Sequence, residues 1–438
     1  MLFLSAIILL LASDGISAQC LVGNDIPSMM DRMSMIFLKE ARIDFALDSL
    51  KKAALIESND NIFFSPHSIN QALTVAYFGA RGTTEQSLKE ALRIPEQLSK
   101  AEVQRSYGYE RSLRQTRSQN TENSYEYNVA NKFWITNARK LRECMLDFFG
   151  DELEVTDFRT NPANVQTYIN NWISNITKGH IHDLLPPGAI TADTDLVLTN
   201  AVYFKGKWSQ RFDPKDSTRE IFYSSSTQMS ITTFMNQIGN FNYSISEELG
   251  AYILELPYVG DEISMFVLLP PFRVLSRQNS EPGTQDNILR LVERLATKKG
   301  TQELREIMDN GMTREVNVNL PRFEVEKELP IGQMLHALGA GELLAPSAAD
   351  LRGFVADGEK SVHLGDAVHR ARIEVTEEGT TAAAATALFS FRSSRPNEPV
   401  VFNANHPFVY LIYDKHSNTI LFTGIFRKPA ASNSEPSV

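Results

Sequence analysis

The chain has 438 residues, of which 42% are hydrophobic and 22% charged, and its formal net charge is −10. That balance suits a folded protein with a sizeable core, and the acidic surplus excludes the basic footprint of a nucleic-acid binder. No C-x-x-C, H-E-x-x-H or G-x-G-x-x-G spacing occurs, so the sequence implies neither a metal site nor a cofactor.

The opening, MLFLSAIILLLASDGISAQC, carries an apolar run from Leu2 to Ala12 followed by Ser17-Ala18. The run is too short for a bilayer and its small residues suit a signal peptidase. A leader over residues 1–18 and a secreted, extracellular mature protein are therefore expected, although the leader lacks Lys and Arg. No later stretch is apolar enough to span a membrane as a helix. Cys20 and Cys144 are the only cysteines. In an oxidising compartment they can bridge; the alternative is a free Cys144 on a buried helix face. Secretion would also make Asn175-Ile-Thr and Asn242-Tyr-Ser usable as glycosylation sequons.

Residues 29–56 carry a helical period. NIFFSPHSINQALTVAYFG (61–79) reads as a short strand, a Ser-Pro helix start and a buried helix. Residues 99–119 form a polar helix or loop bearing Arg105, Arg111, Arg114 and Arg117. In NPANVQTYINNWISNITKG, Val165, Tyr168, Ile169, Trp172, Ile173 and Ile176 make one helical stripe behind Pro162. Residues 194–208 are apolar on both faces, which places that strand inside a sheet. Residues 251–271 read as two strands around Gly260-Asp261. Residues 314–329 alternate Val316, Val318 and Leu320 against Asn317 and Asn319. HPFVYLIYD and TILFTGIF flank KHSN as a hairpin. Helices and strands mix without regular alternation, and no linker divides them. The fold class is α+β, in one large domain over residues 19–428, with a polar tail at 429–438.

No catalytic motif is present, so an enzyme is not expected. The unusual segment is EEGTTAAAATALFSFRSSRPNEP, residues 377–399. As a strand, it would place Thr380, Ala382, Ala384, Thr386 and Leu388 on one face. Thr381, Ala383, Ala385, Ala387 and Phe389 would lie on the other. Both rows are small enough to slip between two existing strands, with Gly379 as the free joint. Alanine is also the best helix former, and pattern alone favours helix over strand.

IEVTEEGTTAAAATA resembles the hinge of the reactive loop of the serpins, the serine-protease-inhibitor family. NIFFSPHSI, NAVYFKGKW, LPRFEVEKEL, VHRARIEV and FNANHPFVYLIYDKHSNTILFTGIF resemble the family's signature segments in the family's order, over roughly residues 35 to 428. The resemblance implies three β-sheets, about nine helices and an exposed reactive-centre loop at about 377–399. It makes Glu377, Glu378, Gly379, Thr380, Thr381, Ala382, Ala383 and Ala384 the hinge. Ser65, Ser68, Asn200 and His369 become the shutter that holds the main sheet closed, and Trp208 the breach residue beneath the insertion point. A protease would attack the loop as a substrate, and the freed hinge would then enter the sheet and trap it as an acyl-enzyme.

The family's usual spacing puts the cut after Ser393, and one residue shorter puts it at Arg392-Ser393. Arginine suits the acidic pocket of a trypsin-like protease, and Pro396 disfavours a cut after Arg395. The loop is similar to those of insect haemolymph serpins that restrain immune protease cascades. Three rivals stay open. One is a non-inhibitory carrier, storage protein or chaperone, against which the small hinge argues. Another is weak glycosaminoglycan binding through Arg105, Arg111, Arg114 and Arg117, set against a solvated basic face. The third, a hydrolase on another fold, would need turnover that an Arg392 mutation leaves untouched. A monomer whose partner is an extracellular trypsin-like protease is expected.

Overall fold

A computed structural model describes residues 32–118, 125–272, 286–378 and 398–430. The expected leader, Cys20, the hinge from Gly379 to Ala384, Arg392, Ser393 and residues 431–438 of the expected tail lie outside them.

The chain opens with α1 (Arg32–Ile56), β1 (Ile62–Phe64), α2 (Pro66–Gly79), α3 (Gly82–Ala91) and α4 (Lys100–Ser118). Next come β2 (Tyr125–Thr136), α5 (Glu143–Phe149), β3 (Leu153–Thr156), α6 (Pro162–Ile176) and β4 (Leu196–Gly206). The middle holds β5 (Thr218–Tyr223), β6 (Met229–Ser246), β7 (Ala251–Pro257), β8 (Ile263–Leu269), α7 (Asn287–Leu295) and α8 (Lys298–Asp309). β9 (Thr313–Pro321), β10 (Phe323–Leu329), α9 (Ile331–Leu338), β11 (Leu364–Val375), β12 (Val400–Asn403), β13 (Phe408–Asp414) and β14 (Thr419–Phe426) complete it.

Local chemistry explains the helix starts. Ser65 caps α2, its hydroxyl accepting from the Ser68 N–H with Pro66 in the first turn, and Asn161 caps α6 with Pro162 behind it. The exit of α2 needs Gly79, because a Cβ there would lie 2.1 Å from the Phe354 ring.

Five strands form one sheet in the order β10-β11-β4-β2-β3. β4 sits in its centre and is buried along nearly its whole length, as its two-faced apolarity requires. A second ladder runs β1-β14-β13-β8-β7-β6-β9-β12, with β5 branching from β6. Of the three sheets expected, two are therefore joined through β6, whose residues 229–242 pair β5 and β9 and whose residues 243–246 pair β7. Residues 314–329 divide: β9 belongs to the larger ladder and β10 to the edge of the five-stranded sheet. The break falls at Pro321, which cannot donate to a ladder.

An apolar layer holding Phe63, Phe323, Tyr410 and Phe422 fills the space beside these sheets, with the Phe63 ring stacked on Phe422 at 5.0 Å. Trp134, Ile169, Ile173, Val197 and Ala201 form a smaller cluster under α6. One face of β4 thus meets the main core and the other meets α6.

Candidate functional site

In the five-stranded sheet, β4 and β11 are parallel neighbours, with His369 opposite Asn200 in register. Both side chains are buried, His369 completely. The Ser65 N–H donates to His369 Nε2 at 3.1 Å. The ring proton therefore sits on Nδ1, which donates to Asn200 Oδ1 at 2.9 Å. The Ser68 hydroxyl donates to that same oxygen at 2.8 Å, and the Ser65 hydroxyl to the Leu421 carbonyl at 2.7 Å. Burial lowers the His369 pKa to about 3, so the ring is neutral. These bonds tie the first turn of α2 to both strands and tie the strands to each other. Ser65, Ser68, Asn200 and His369, 304 residues apart at the extreme, form one cluster.

The top of the same seam holds the chain leaving β11. Trp208 Nε1 donates to the Thr376 carbonyl at 2.7 Å, and the Trp208 N–H to the Glu378 carbonyl at 3.1 Å. The Trp208 ring stacks on Tyr258 at 4.5 Å. Gly206 is required beneath it, because a Cβ would lie 2.3 Å from the Tyr258 ring. The buried Glu377 accepts from the Ser217 hydroxyl at 2.9 Å and lies 3.9 Å from Arg322. Lys205 sits 3.1 Å from Glu374 and 3.5 Å from Glu378. Burial opposes ionisation of Glu374, but the bonded Lys205 ammonium still holds its carboxyl below the usual range. Glu377 and Glu378 are thus a tethered root; the loop's far end returns as β12, parallel to β9.

Against this geometry, a family model described as Serpin (serine protease inhibitor) matches residues 40–429. The chain belongs to the serpin family. It is 34% identical over 407 residues to Serine protease inhibitor 88Ea of Drosophila melanogaster, covering 90% of this chain and 91% of that one. It is also 34% identical over 378 residues to antithrombin-III of Homo sapiens, covering 85% and 77%. The solved structure of uncleaved ovalbumin aligns with a TM-score of 0.73 at 26% identity, over 90% of this serpin and all of that chain.

Sequence reasoning found Trp208 but missed the partners that make it a clasp: Lys205, Ser217, Tyr258 and Arg322. Only the Gly-Lys-Trp of 206–208 hinted at a special turn. The basic helix also reads differently in three dimensions. Arg111 turns inward, its Nη1 donating to the Phe148 carbonyl at 2.5 Å and lying 3.1 Å from Glu152. Glu110 pairs with Arg42 at 2.8 Å. Arg111 is thus half-buried and engaged with the fold; the side chains of Arg114 and Arg117 lie outside the described residues. Cys144 is disulfide-bonded.

The two sequons differ. Asn175 is exposed at the end of α6. The Asn242 amide instead donates to the buried Glu255 carboxylate at 2.7 Å and accepts from Thr313 at 2.7 Å. Glu255 also holds Ser264 at 2.7 Å and Lys415 at 2.5 Å. A glycan grows from that same amide nitrogen, so one on Asn242 would break this network. When the serpin is made in a secreting cell, Asn175→Gln is expected to remove the glycan mass. Asn242→Gln is expected to leave the mass unchanged and lower stability; intact-mass spectrometry and thermal unfolding check both.

Proposed function

We propose that this serpin is a secreted suicide substrate for trypsin-like serine proteases, cut at Arg392-Ser393, and that it restrains an extracellular immune protease cascade. One observation carries the reading. β4 and β11 run parallel, and β11 ends beside the clasp at Trp208. A chain that turns back from Glu378 therefore runs antiparallel to both strands at once, and can form ladder bonds on both of its edges. The residues that would do so, Thr380 to Ala387, are the small ones that bring no steric clash.

The chemistry belongs to the protease. Its serine oxygen attacks the Arg392 carbonyl carbon, the Arg392–Ser393 bond breaks, and the Ser393 nitrogen leaves with a proton as a new amino terminus. The acyl ester then joins the enzyme to the freed hinge. Insertion carries the enzyme along before water reaches the ester.

Incubation with trypsin and with chymotrypsin, followed by denaturing gels and mass analysis of the released C-terminal peptide, tests the reading. A covalent complex with trypsin and a peptide beginning at Ser393 is expected. A peptide beginning at Ser394 moves the bond and changes the target class. Cleavage without any covalent complex, across several proteases, overturns inhibition.

A further inference from the structure

The seam between β4 and β11 is crossed a second time, on the face away from the shutter. α6 is seated over β2 by Trp134, whose ring meets Tyr168 and Trp172 edge-on at 5.8 and 5.4 Å. The Trp134 indole N–H donates to Thr199 of β4 at 2.9 Å. After α6, Lys178 and Gly179 take left-handed backbone angles, with φ of 51° and 79°, and reverse the chain. The chain then passes back over the sheet as His180-Ile181-His182. The His180 ring lies flat on the Tyr203 ring of β4, centroids 3.6 Å apart and planes 8° apart. The His180 carbonyl accepts from Arg372 of β11 at 3.1 Å, and the His182 carbonyl from Arg370 at 2.9 Å. Tyr203 and Arg372 are register partners across the seam. Ile181 is buried in the cluster that also holds Ala201 of β4 and Val368 of β11.

We propose that His180 and Arg372 rivet the β4–β11 seam, and that releasing this rivet is a required step in strand insertion which sets how often a protease is trapped instead of released. His180 touches one strand with its ring and the other with its carbonyl. A strand inserted between β4 and β11 moves Tyr203 and Arg372 apart by a further strand spacing, about 4.8 Å. The Arg372 guanidinium cannot follow His180, because Glu324 of β10 holds it at 2.8 Å on the far side. Keeping the stack then means losing the carbonyl bond, or the reverse. His180 and Arg372 are positioning residues; neither touches the reacting bond. The consequence for trapping rests on the inhibitory reading above, while the rivet itself rests on geometry alone.

Hydrogen exchange read by mass spectrometry, on the full-length secreted protein, tests it with three variants. Arg372→Met is expected to speed exchange in residues 196–206 and 364–375 about tenfold, the factor for losing a bond from a charged donor, and His180→Ala, which removes the ring stack but keeps the carbonyl, by a few-fold. They should leave 408–426 unchanged. His180→Phe keeps a flat ring on Tyr203 and is expected to retain most of the protection. With trypsin, the first two variants should need fewer molecules per enzyme trapped. Folded variants with wild-type exchange at the seam overturn the rivet, as does an increase spread equally over 408–426. If the wild type traps no protease, the inhibitory reading falls, and exchange alone still decides the rivet.

Discussion

Ala382→Glu is expected to leave this serpin folded and its loop cleavable by trypsin while abolishing the covalent complex. The residues opposite an inserted strand explain why. On the core side it would lie among Asn200, Val202, Phe204, Ala371 and Ile373, all at most 2% exposed. On the other side it would meet the layer beneath α6. Alanine enters such a slot without displacing anything. A carboxylate must leave water without a partner, at a cost of several kcal/mol. A barrier about 3 kcal/mol higher slows insertion by roughly a hundredfold, and deacylation then wins. Ala382→Ser, similar in volume, should retain most trapping. The ratio of complex to cleaved serpin on denaturing gels measures both. Full trapping by the Glu variant would show that the hinge does not enter the sheet at this position.

The sequence revealed what periodicity and composition report. β4 was legible as an interior strand because both of its faces are apolar, and α6 because its stripe repeats at helical spacing behind a Pro cap. The terminal hairpin was legible from KHSN, where Asp414 accepts from the backbone of His416 and Ser417 and Asn418 takes a φ of 52°. Contact between distant segments leaves no such trace. Ser65 and His369 were placed together only through the family resemblance, since nothing in either neighbourhood encodes the other. Arg111 looked like part of a basic face because a sequence does not show the Phe148 carbonyl waiting for it. The Pro321 break was written in the sequence twice, as the proline itself and as a change of phase, since the buried apolar positions are 316, 318 and 320 before it and 323 and 325 after it. His180 was invisible for a similar reason: its contribution lies in a backbone carbonyl and a flat ring over a strand, and neither carries a pattern.

Acidification is expected to weaken the native state well before the carboxylates titrate. His369 has a folded pKa of about 3, against 6.5 for an ordinary histidine. Above pH 6.5 both states are neutral and the full stability is present. Below it, the unfolded chain takes a proton that the buried ring refuses, so stability falls with falling pH by up to about 1.4 kcal/mol per unit until pH approaches 3. Burial depresses His406 too, in the same direction. Carboxylates held below their usual range, such as Asp60 and Asp350, act only at lower pH. Urea midpoints measured at pH 7.5 and 5.0 should therefore differ by about 2 kcal/mol in unfolding free energy. His369→Gln should start less stable and show a shallower dependence; equal wild-type midpoints at the two pH values would contradict a buried neutral ring. The location of the proton matters as much as its cost. Protonated Nε2 would point a donor at the Ser65 N–H and end the bond between α2 and β11. Acid should thus loosen β11 from the start of α2 ahead of the rest of the fold, and amides of 364–375 should lose exchange protection at pH 5 while those of 408–426 keep theirs.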